Sequence, residues 1–273
     1  MYKMFDLYNN YFTNKKLDKT KMHYLNKCSK LQTKLATVID TTNLKSQKIP
    51  LALQKAEQLL SNGDYGLLAV EDLNFVTKST INDIINYGIR FCGLTGCKDN
   101  ILAGGYLEQG DITNFGKYCI EQLENADIFV DCANLNERSF MTLCNTSNKA
   151  LFCSHTASNS IIANQQNLKD YQIKIVCASG GLIGVCLDSY LLCGSKNATI
   201  TDYVKHIDYM VCKFGIEHFA IGTNFFGTKT LPLGITDYKS LKKLLVEQLE
   251  YLGYKPTDIN KLLFQNAERF FKI

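Results

Sequence analysis

Several features are missing from this 273-residue sequence, and each absence argues against a class of protein. No apolar run approaches the roughly 18 to 20 residues that a helix needs to span a bilayer. The opening residues, MYKMFDLYNNYF, lack a basic stretch followed by an apolar signal core. We therefore expect a cytoplasmic protein with no membrane partner.

The charge distribution gives no support to nucleic-acid binding. The formal charge of +4 comes from 30 basic and 26 acidic residues, and the lysines are scattered along the chain. A nucleic-acid-binding domain usually gathers its basic residues into a patch or stripe. With 46% hydrophobic and 21% charged residues, the composition is that of an ordinary globular protein.

Metal-binding cysteine motifs are also missing, although cysteine itself is abundant. The chain has 11 cysteines but no Cys-x-x-Cys and no His-Glu-x-x-His. Without a secretory signal, we expect free thiols and no disulfide framework. Most of them, such as Cys177 and Cys186, stand within apolar runs, where a thiol behaves as a small hydrophobe. The cysteines are therefore predicted to fill the core.

Strand-like and helix-like segments alternate from end to end, and no Pro-, Gly- or Ser-rich linker divides the chain. The predicted strands are 2–7, 34–39, 65–70, 90–95, 128–132, 150–153, 173–179 and 217–222. The predicted helices include 50–61, 79–88, 115–124, 200–214, 238–251 and 256–271. Such alternation indicates a parallel sheet. About eight units favour a single α/β domain over residues 1–273, a (β/α)8 TIM-type barrel. A doubly wound open sheet is the alternative.

Chemistry in parallel α/β proteins collects at the carboxyl ends of the strands. The residues predicted there are Tyr8, Asn10, Glu71, Gly96, Asn134, His155 and Asn224. A zinc site needs three or more nitrogen, sulfur or carboxylate ligands, whereas this set supplies one imidazole and one carboxylate. From the residues alone, Glu71 and His155 could be a metal-site remnant, an acid/base pair or a hydrogen-bonded couple.

Several segments, in order, resemble the motifs of one family. DIFVDCANLNERSF resembles its Asp-x-Ser-His segment, and KALFCSHTASNSIIANQQNL its Ser-His-Ser segment followed by Arg-Asn. ASGGLIGV matches its Gly-Gly turn, AIGTNFFG resembles Gly-Ser-Asp-Phe-Asp-Gly, LTGCKDN resembles Leu-Thr-x-Asn, and MFDLYNNYF resembles the opening Asp-x-His-x-Asp. The family is that of the membrane dipeptidases (renal dipeptidase, peptidase M19), especially its compact bacterial branch. The resemblance implies a zinc-dependent (β/α)8 barrel that cleaves dipeptides.

The resemblance also identifies positions where the metal ligands of the family are replaced. Its opening His and Asp ligands fall on Tyr8 and Asn10, its bridging Glu on Glu71, and its two later His ligands on Asn134 and His155. Only two of these five positions, Glu71 and His155, keep a usable ligand. Placing the opening motif at residues 40–44 instead would also lack the His and the Asp.

The substrate-binding positions change as well. The family's substrate-binding Arg falls on Gln166 beside a retained Asn167, and its strand-end catalytic Asp falls on Asn224. The substrate-side His found in many members would lie at Gly96. Replacing Asp or His by Asn, and Arg by Gln, keeps approximate size while it removes charge or metal affinity. Carboxylates left facing each other without a metal would repel, so neutralisation stabilises a metal-free barrel.

Our leading hypothesis is a catalytically degenerate dipeptidase homologue without a cofactor, whose barrel binds a small peptide-like or amino-acid-like ligand. If a metal is retained, we expect zinc. One alternative is an active hydrolase with an altered metal site around Glu71 and His155, or with a nucleophile among Cys132 and Cys153, each two residues before a strand-end residue. Another is a non-catalytic partner subunit of an active paralogue. Because dimers are common among the relatives, a homodimer is also considered.

Overall fold

The computed structural model describes residues 2–10, 19–39, 41, 49–61 and 66–273. Eight parallel strands form a closed barrel in sequence order, with the last strand paired to the first. The strands are β1 Met4–Asn9, β2 Thr33–Ile39, β3 Gly66–Val70, β4 Ile89–Gly93, β5 Phe129–Asp131, β6 Phe152–Thr156, β7 Leu182–Val185 and β8 Phe219–Ile221. Closure confirms the predicted (β/α)8 barrel and excludes the open sheet.

Helices follow the strands around the outside of the barrel. They are α1 Lys19–Lys30, α2 Ile49–Ser61, α3 Ile81–Ile85, α4 Asn114–Asn125, α5 Glu137–Thr146, α6 Asp170–Ala178, α7 Ser189–Cys193, α8 Ile200–Phe214, α9 Tyr238–Tyr251, α10 Pro256–Asn260 and α11 Asn266–Phe271. A π-helical turn, Lys261–Gln265, joins the last two. Across the described ranges, no helix combines the length and apolarity needed to cross a bilayer.

One predicted strand is wrong. Residues 173–179 belong to α6, and the strand of this unit is β7, Leu182–Val185. Gly180, with a φ of +74°, ends the helix in the left-handed conformation that glycine tolerates. The Gly181 N–H donates to the Val176 carbonyl at 3.0 Å, as in a helix C-terminal cap. A short apolar run does not by itself distinguish a buried helix from a strand.

Other boundaries shift by a few residues. The predicted strand 217–222 begins with a 3-10 turn, Ile216–His218, and only Phe219–Ile221 pairs in the barrel. The predicted helix 79–88 contracts to α3. Most of the alternative opening motif at 40–44 lies outside the described residues.

Phenylalanine side chains close the amino-terminal end of the barrel. The Phe271 ring of α11 lies 5.4 Å from the Phe152 ring and about 6 Å from the rings of Phe5 and Phe91, centroid to centroid. The guanidinium of Arg90 donates to the Phe271 carbonyl at 3.1 Å. This plug leaves the opposite end, at the carboxyl ends of the strands, as the barrel mouth.

Two glycines make room for a bulge in β6. An added Cβ at Gly184 or at Gly222 would lie 2.0 Å from the Ser154 carbonyl oxygen. The strand register also shifts between Cys153 and Thr156, where three residue steps of β6 oppose two of β7. The Ser154 backbone therefore occupies the space that side chains at these glycines would need.

We expect Gly222→Ala to lower the free energy of unfolding by about 3 kcal/mol, because the new methyl group would collide with backbone that has little room to move. Urea unfolding measures the loss. Gly253→Ala is the control: its φ is positive, unlike that of Gly222, and the added Cβ would meet open space. A loss of only about 1 kcal/mol, from backbone strain, is expected there. Equal losses at the two sites would contradict this account.

Candidate functional site

The imidazole of His155 lies against the ring of Tyr8 at the barrel mouth. Their centroids are 3.9 Å apart, with 34° between the ring planes. Sequence reasoning placed His155 just beyond its strand, but it lies within β6, next to the bulge. The side chain is 2% exposed, and burial lowers the pKa of His155 to about 3. The ring is therefore neutral at neutral pH.

A carboxylate and a hydroxyl orient this imidazole. Asp131, the last residue of β5, accepts hydrogen bonds from the Ser154 hydroxyl, the Ser154 N–H and the Ala133 N–H. Burial raises the pKa of Asp131 to about 6, so the group is an acceptor-only carboxylate above that pH. The Ser154 oxygen lies 2.8 Å from Nδ1 of His155. Because the hydroxyl donates to Asp131, its oxygen accepts from Nδ1–H, which leaves a lone pair on Nε2.

Glu71, Asn134 and Gln166 form a second chain of polar groups. The Gln166 amide donates to Oδ1 of Asn134 at 2.8 Å. The Asn134 amide in turn lies 3.5 Å from Oε1 of Glu71, at the long end of hydrogen-bonding distance. Asn134 has a φ of +68°, a conformation that asparagine adopts more readily than most residues. The side chains at two predicted metal positions and one predicted substrate position are thus joined to each other.

Asn10 and Asn224 lie together where β1 and β8 end. A Cβ built at Gly227 would lie 1.9 Å from Oδ1 of Asn224 and 2.7 Å from Nδ2 of Asn10, so both side chains contact this glycine. The Asn224 N–H donates to the Tyr8 carbonyl at 2.9 Å. The Oδ1 atoms of both asparagines are buried, and the described part of the chain provides neither with a hydrogen-bond donor.

The remaining two predicted site residues are held by backbone interactions. The Asn167 amide donates to the carbonyls of Ile162 and Leu191, at 3.0 and 2.9 Å. Gly96 is buried, and its N–H lies 3.2 Å from a carboxylate oxygen of Asp72. Their assignment to substrate binding stays a prediction.

Burial and orientation argue against the proposed cysteine nucleophile. Cys132 and Cys153 are both buried in the hydrophobic core, although both also line a cleft that opens beside the mouth. The bulge in β6 reverses the alternation of side chains, so Cys153 does not point to the same side as His155, as was predicted. Burial also raises the pKa of Cys153 well above its ordinary value, which disfavours a reactive thiolate.

The side chains brought together here do not match a binuclear zinc centre. Within the described residues, no three His, Cys, Asp or Glu side chains converge as a metal-binding group. Tyr8, Asn10 and Asn134 offer a phenol and two amides, which are weak neutral ligands. Burial and the nearby charges of Glu71 and Asp131 raise the pKa of Tyr8 well above its usual value, so the phenol keeps its proton.

A cleft of about 800 Å³ opens beside the mouth, between α5 and the segment that follows β6. Tyr106, Asn134 and Gln166 form part of its lining, so it adjoins the Glu71 chain. Much of the lining is uncharged and polar, with the side chains of Gln109, Asn136, Asn145, Asn159, Asn164, Gln165 and Gln172. Amide groups of this kind can both donate and accept hydrogen bonds.

Sequence reasoning missed three residues of this site. Asp131 and Ser154 stand inside the two motifs that contain Asn134 and His155, but only the metal positions of those motifs were singled out. A buried carboxylate next to a strand-end hydroxyl was the available signal. Tyr106 lies in a long loop with no periodic pattern, so nothing in the sequence pointed to it.

The neutral, buried state of His155 predicts that the stability of the fold depends on pH. Its folded pKa, about 3, lies below the ordinary value of 6.5, so acidification protonates the unfolded chain first and destabilises the fold. Between pH 6 and pH 4, the unfolding free energy of the parent should fall as the pH falls. In His155→Phe the slope of this fall should be smaller by about 1.4 kcal/mol per pH unit. Urea unfolding across this range measures it. The control replaces the exposed His23 by Gln and should leave the slope unchanged. If the plots of unfolding free energy against pH for His155→Phe and for the parent were parallel, they would contradict the lowered pKa of His155.

Solved structures with a similar fold include two metallopeptidases. A metallopeptidase from Rhodobacter sphaeroides, liganded with a phosphinate mimic of the dipeptide L-Ala-D-Ala, superposes with a TM-score of 0.86 over 99% of both chains at 16% identity. The metallopeptidase dipeptidase AC, of family M19, gives 0.87 over 99% of this chain and 98% of its own at 17% identity. At these identities the likeness shows the fold.

Sequence relatives share parts of their length with this chain. A protein of Klebsiella pneumoniae encoded in the pqqA 5' region is 28% identical over 59% of this chain and 60% of its own. An uncharacterized dipeptidase of Schizosaccharomyces pombe is 25% identical over 78% of this chain, and dipeptidase 3 of Mus musculus is 24% identical over 61%. The aligned stretches cover 54% and 34% of the length of those two relatives, so the chain spans between about a third and 60% of the length of these three proteins.

The match to a family profile covers more of this chain than any of these three sequence alignments. The profile described as "Membrane dipeptidase (Peptidase family M19)" matches residues 20–273. Tyr8 and Asn10 precede this range, but β1 brings Tyr8 to the mouth beside His155, and Asn10 follows directly after this strand. The fold, the profile and the dipeptidase relatives agree, and the chain belongs to the membrane dipeptidase family, peptidase family M19.

Proposed function

We propose that this chain is a catalytically degenerate member of its family, which binds a peptide-like or amino-acid-like ligand at the barrel mouth without cleaving it. The observation that carries the proposal is the donor set at the mouth. At three metal positions of the family stand Tyr8, Asn10 and Asn134, all of them neutral. Asn134 contacts both Gln166 and Glu71, so its amide belongs to a hydrogen-bonded chain.

The chemistry of hydrolysis supports the same conclusion. A metallopeptidase uses a dication to lower the pKa of bound water and to polarise the scissile carbonyl. Here one carboxylate and one neutral imidazole remain of the five family ligands. The family's substrate-binding Arg is Gln166, so the charge that would pair with a substrate carboxylate is also lost at that position.

A second candidate rests on the orientation of His155. The Asp131–Ser154 pair leaves the Nε2 lone pair free to accept a proton or to bind a single metal. An altered hydrolase that uses Glu71 and His155 would exploit that arrangement. We rank it second because the burial that lowers the pKa of His155 also makes it a poor base. A cytoplasmic location, a homodimer and an active paralogue as partner remain predictions.

We expect no hydrolysis of L-Ala-L-Ala or L-Ala-D-Ala above the uncatalysed rate, with or without added zinc, because the described residues at the mouth offer too few good ligands for a pair of dications. Amino-acid release measures the activity, and the Rhodobacter sphaeroides metallopeptidase is the positive control. A zinc-dependent turnover of about 1 s⁻¹ or more, typical of enzymes, would overturn the proposal.

Restoring the family ligands is the converse experiment. The triple variant Tyr8→His, Asn10→Asp and Asn134→His should bind zinc with an affinity at least about 100-fold above that of the parent chain, because it supplies three good ligands beside Glu71 and His155. Competition with a chromogenic chelator measures the affinity. The variant Tyr8→Phe, Asn10→Leu and Asn134→Leu is the matched control. If the triple variant folded but bound zinc no more tightly than the parent, the replaced ligands would not explain the absence of a zinc site, and the proposal would lose its basis.

A further inference from the structure

We infer that the cleft beside the barrel mouth binds an uncharged stretch of peptide, about four residues long and without a free terminus in the cleft. The inference rests on the proposed function and adds the length and the charge state of the ligand. Three features of the cleft support it: the length of its wall, the pairing of its charged side chains and a buried amide oxygen without a donor.

One wall of the cleft follows α5 from its first residue almost to its last. The helix contributes to the lining Glu137, Arg138, Met141, Thr142 and Asn145, a spacing that places all five on one side of the helix. From Glu137 to Asn145 there are eight residue steps, which at about 1.5 Å each make this wall about 12 Å long. An extended peptide spans about 3.3 Å per residue, so about four residues fit along the wall, whereas a dipeptide covers only about 7 Å.

The opposite wall, the segment that follows β6, is held in place by its own hydrogen bonds. The Asn159 side-chain amide donates to the Asn164 carbonyl at 2.8 Å, and Oδ1 of Asn164 accepts from the Gln166 N–H at 2.9 Å. The Leu168 N–H donates to the Ala157 carbonyl at 3.0 Å. A preformed wall of this kind loses little conformational freedom when a ligand binds.

The charged side chains that line the cleft already have partners within the protein. Glu137 pairs with Lys169 at 2.7 Å, and Arg138 pairs with Asp111 at 3.1 Å. The fourth charged side chain of the lining, Glu108, accepts a backbone N–H of its own loop at 2.9 Å. A ligand carboxylate or ammonium would have to compete with these partners, whereas uncharged peptide groups would not. The cleft therefore favours a peptide segment without charged termini.

One buried acceptor in the lining lacks a donor. The Asn167 amide nitrogen donates to the carbonyls of Ile162 and Leu191, which fixes the orientation of the side chain. In the ranges that the structure describes, its Oδ1 has no hydrogen-bond partner, although the residue is only 4% exposed and lines the cleft. A buried carbonyl oxygen without a donor costs free energy, which a backbone N–H of the ligand would recover.

The strand ends supply an apolar floor between the two walls. The floor consists of the buried residues Cys132, Ala133, Leu135 and Cys153. Side-chain amides on the walls offer donors and acceptors in the same combination as peptide groups. An extended peptide points alternate side chains to opposite sides, so it can place apolar side chains on the floor while its backbone bonds to the walls. A saccharide has no side chains to bury in this way.

The test compares three probes, each added to the full chain at about 5 mM. N-acetyl-Ala-Gly-Ala-Gly-amide has the expected length and no charge, N-acetyl-Ala-amide is shorter, and free Ala-Gly-Ala-Gly carries both charged termini. Thermal unfolding should show the blocked tetrapeptide raising Tm by about 3 °C, which corresponds to a concentration of about ten times Kd. Each of the other two probes should raise Tm by less than about 1 °C.

Bulky substitutions locate the binding. Met141 and Ala163 are exposed residues on opposite walls of the cleft. Met141→Trp and Ala163→Trp should each fill the cleft without disturbing the core, and should reduce the shift to less than about 1 °C. The matched control is Ala178→Trp, at an exposed position of α6 outside the lining, which should leave the shift unchanged. If one of the two cleft variants fails to fold, the other still decides.

Other outcomes overturn the inference in recognisable ways. A shift from N-acetyl-Ala-amide equal to that of the blocked tetrapeptide would refute the length, and an equal shift from free Ala-Gly-Ala-Gly would refute the preference for uncharged segments. A shift with maltotetraose and none with the peptides would assign the cleft to saccharides. If no probe raised Tm, the cleft would not be a peptide site.

The proposed function is judged by separate measurements. If L-Ala-L-Ala raised Tm equally in the parent and in Ala163→Trp, a ligand would bind outside the cleft, and ligand binding by the chain would stand even if the inference failed. The hydrolysis assay tests the proposed loss of catalysis independently of both results.

Discussion

The contact between Tyr8 and His155 is the interaction on which the rest of the mouth depends. It requires the bulge in β6, which needs the space at Gly184 and Gly222 and turns the imidazole inward. It also buries the imidazole, which keeps the ring neutral. The phenol ring of Tyr8 lies on the imidazole of His155, which is the only imidazole among the five predicted metal positions, so this part of the mouth is packed as an aromatic surface.

In the proposed function, the replacement of charged ligands by neutral ones stabilises the mouth in the absence of a metal. Metal ligands such as a second carboxylate would repel Glu71 without a metal between them, and a second imidazole would have to find a donor or remain unsatisfied. Asn134 avoids both problems because its amide contacts Glu71 and Gln166 at once. The Asp131–Ser154 pair, beneath the metal positions, still orients His155. Asp131, Ser154 and His155 thus form an ordered polar framework at the mouth, around the positions where we propose that metal ligands are replaced.

The sequence predicted the barrel because strand-like and helix-like segments alternate along the whole chain, and it predicted the mouth residues because strand ends share one face. Sequence-based prediction was wrong where the local pattern does not determine the tertiary structure. The run at 173–179 is apolar in either conformation, and only the glycines after it end a helix. The side of the strand that Cys153 occupies depends on a bulge, which the spacing does not reveal. The unpaired oxygens of Asn10 and Asn224 depend on three-dimensional neighbours, so no sequence pattern could have identified them.

The most direct test of the central claim is the metal content of the protein purified without added zinc, measured again after zinc loading and dialysis. The account predicts less than about a tenth of an equivalent of zinc in both samples, since weak neutral groups stand at three of the five predicted ligand positions. One or two equivalents in the parent chain, lost in Glu71→Gln, would contradict it and would mean that the metal site has been rebuilt with other residues.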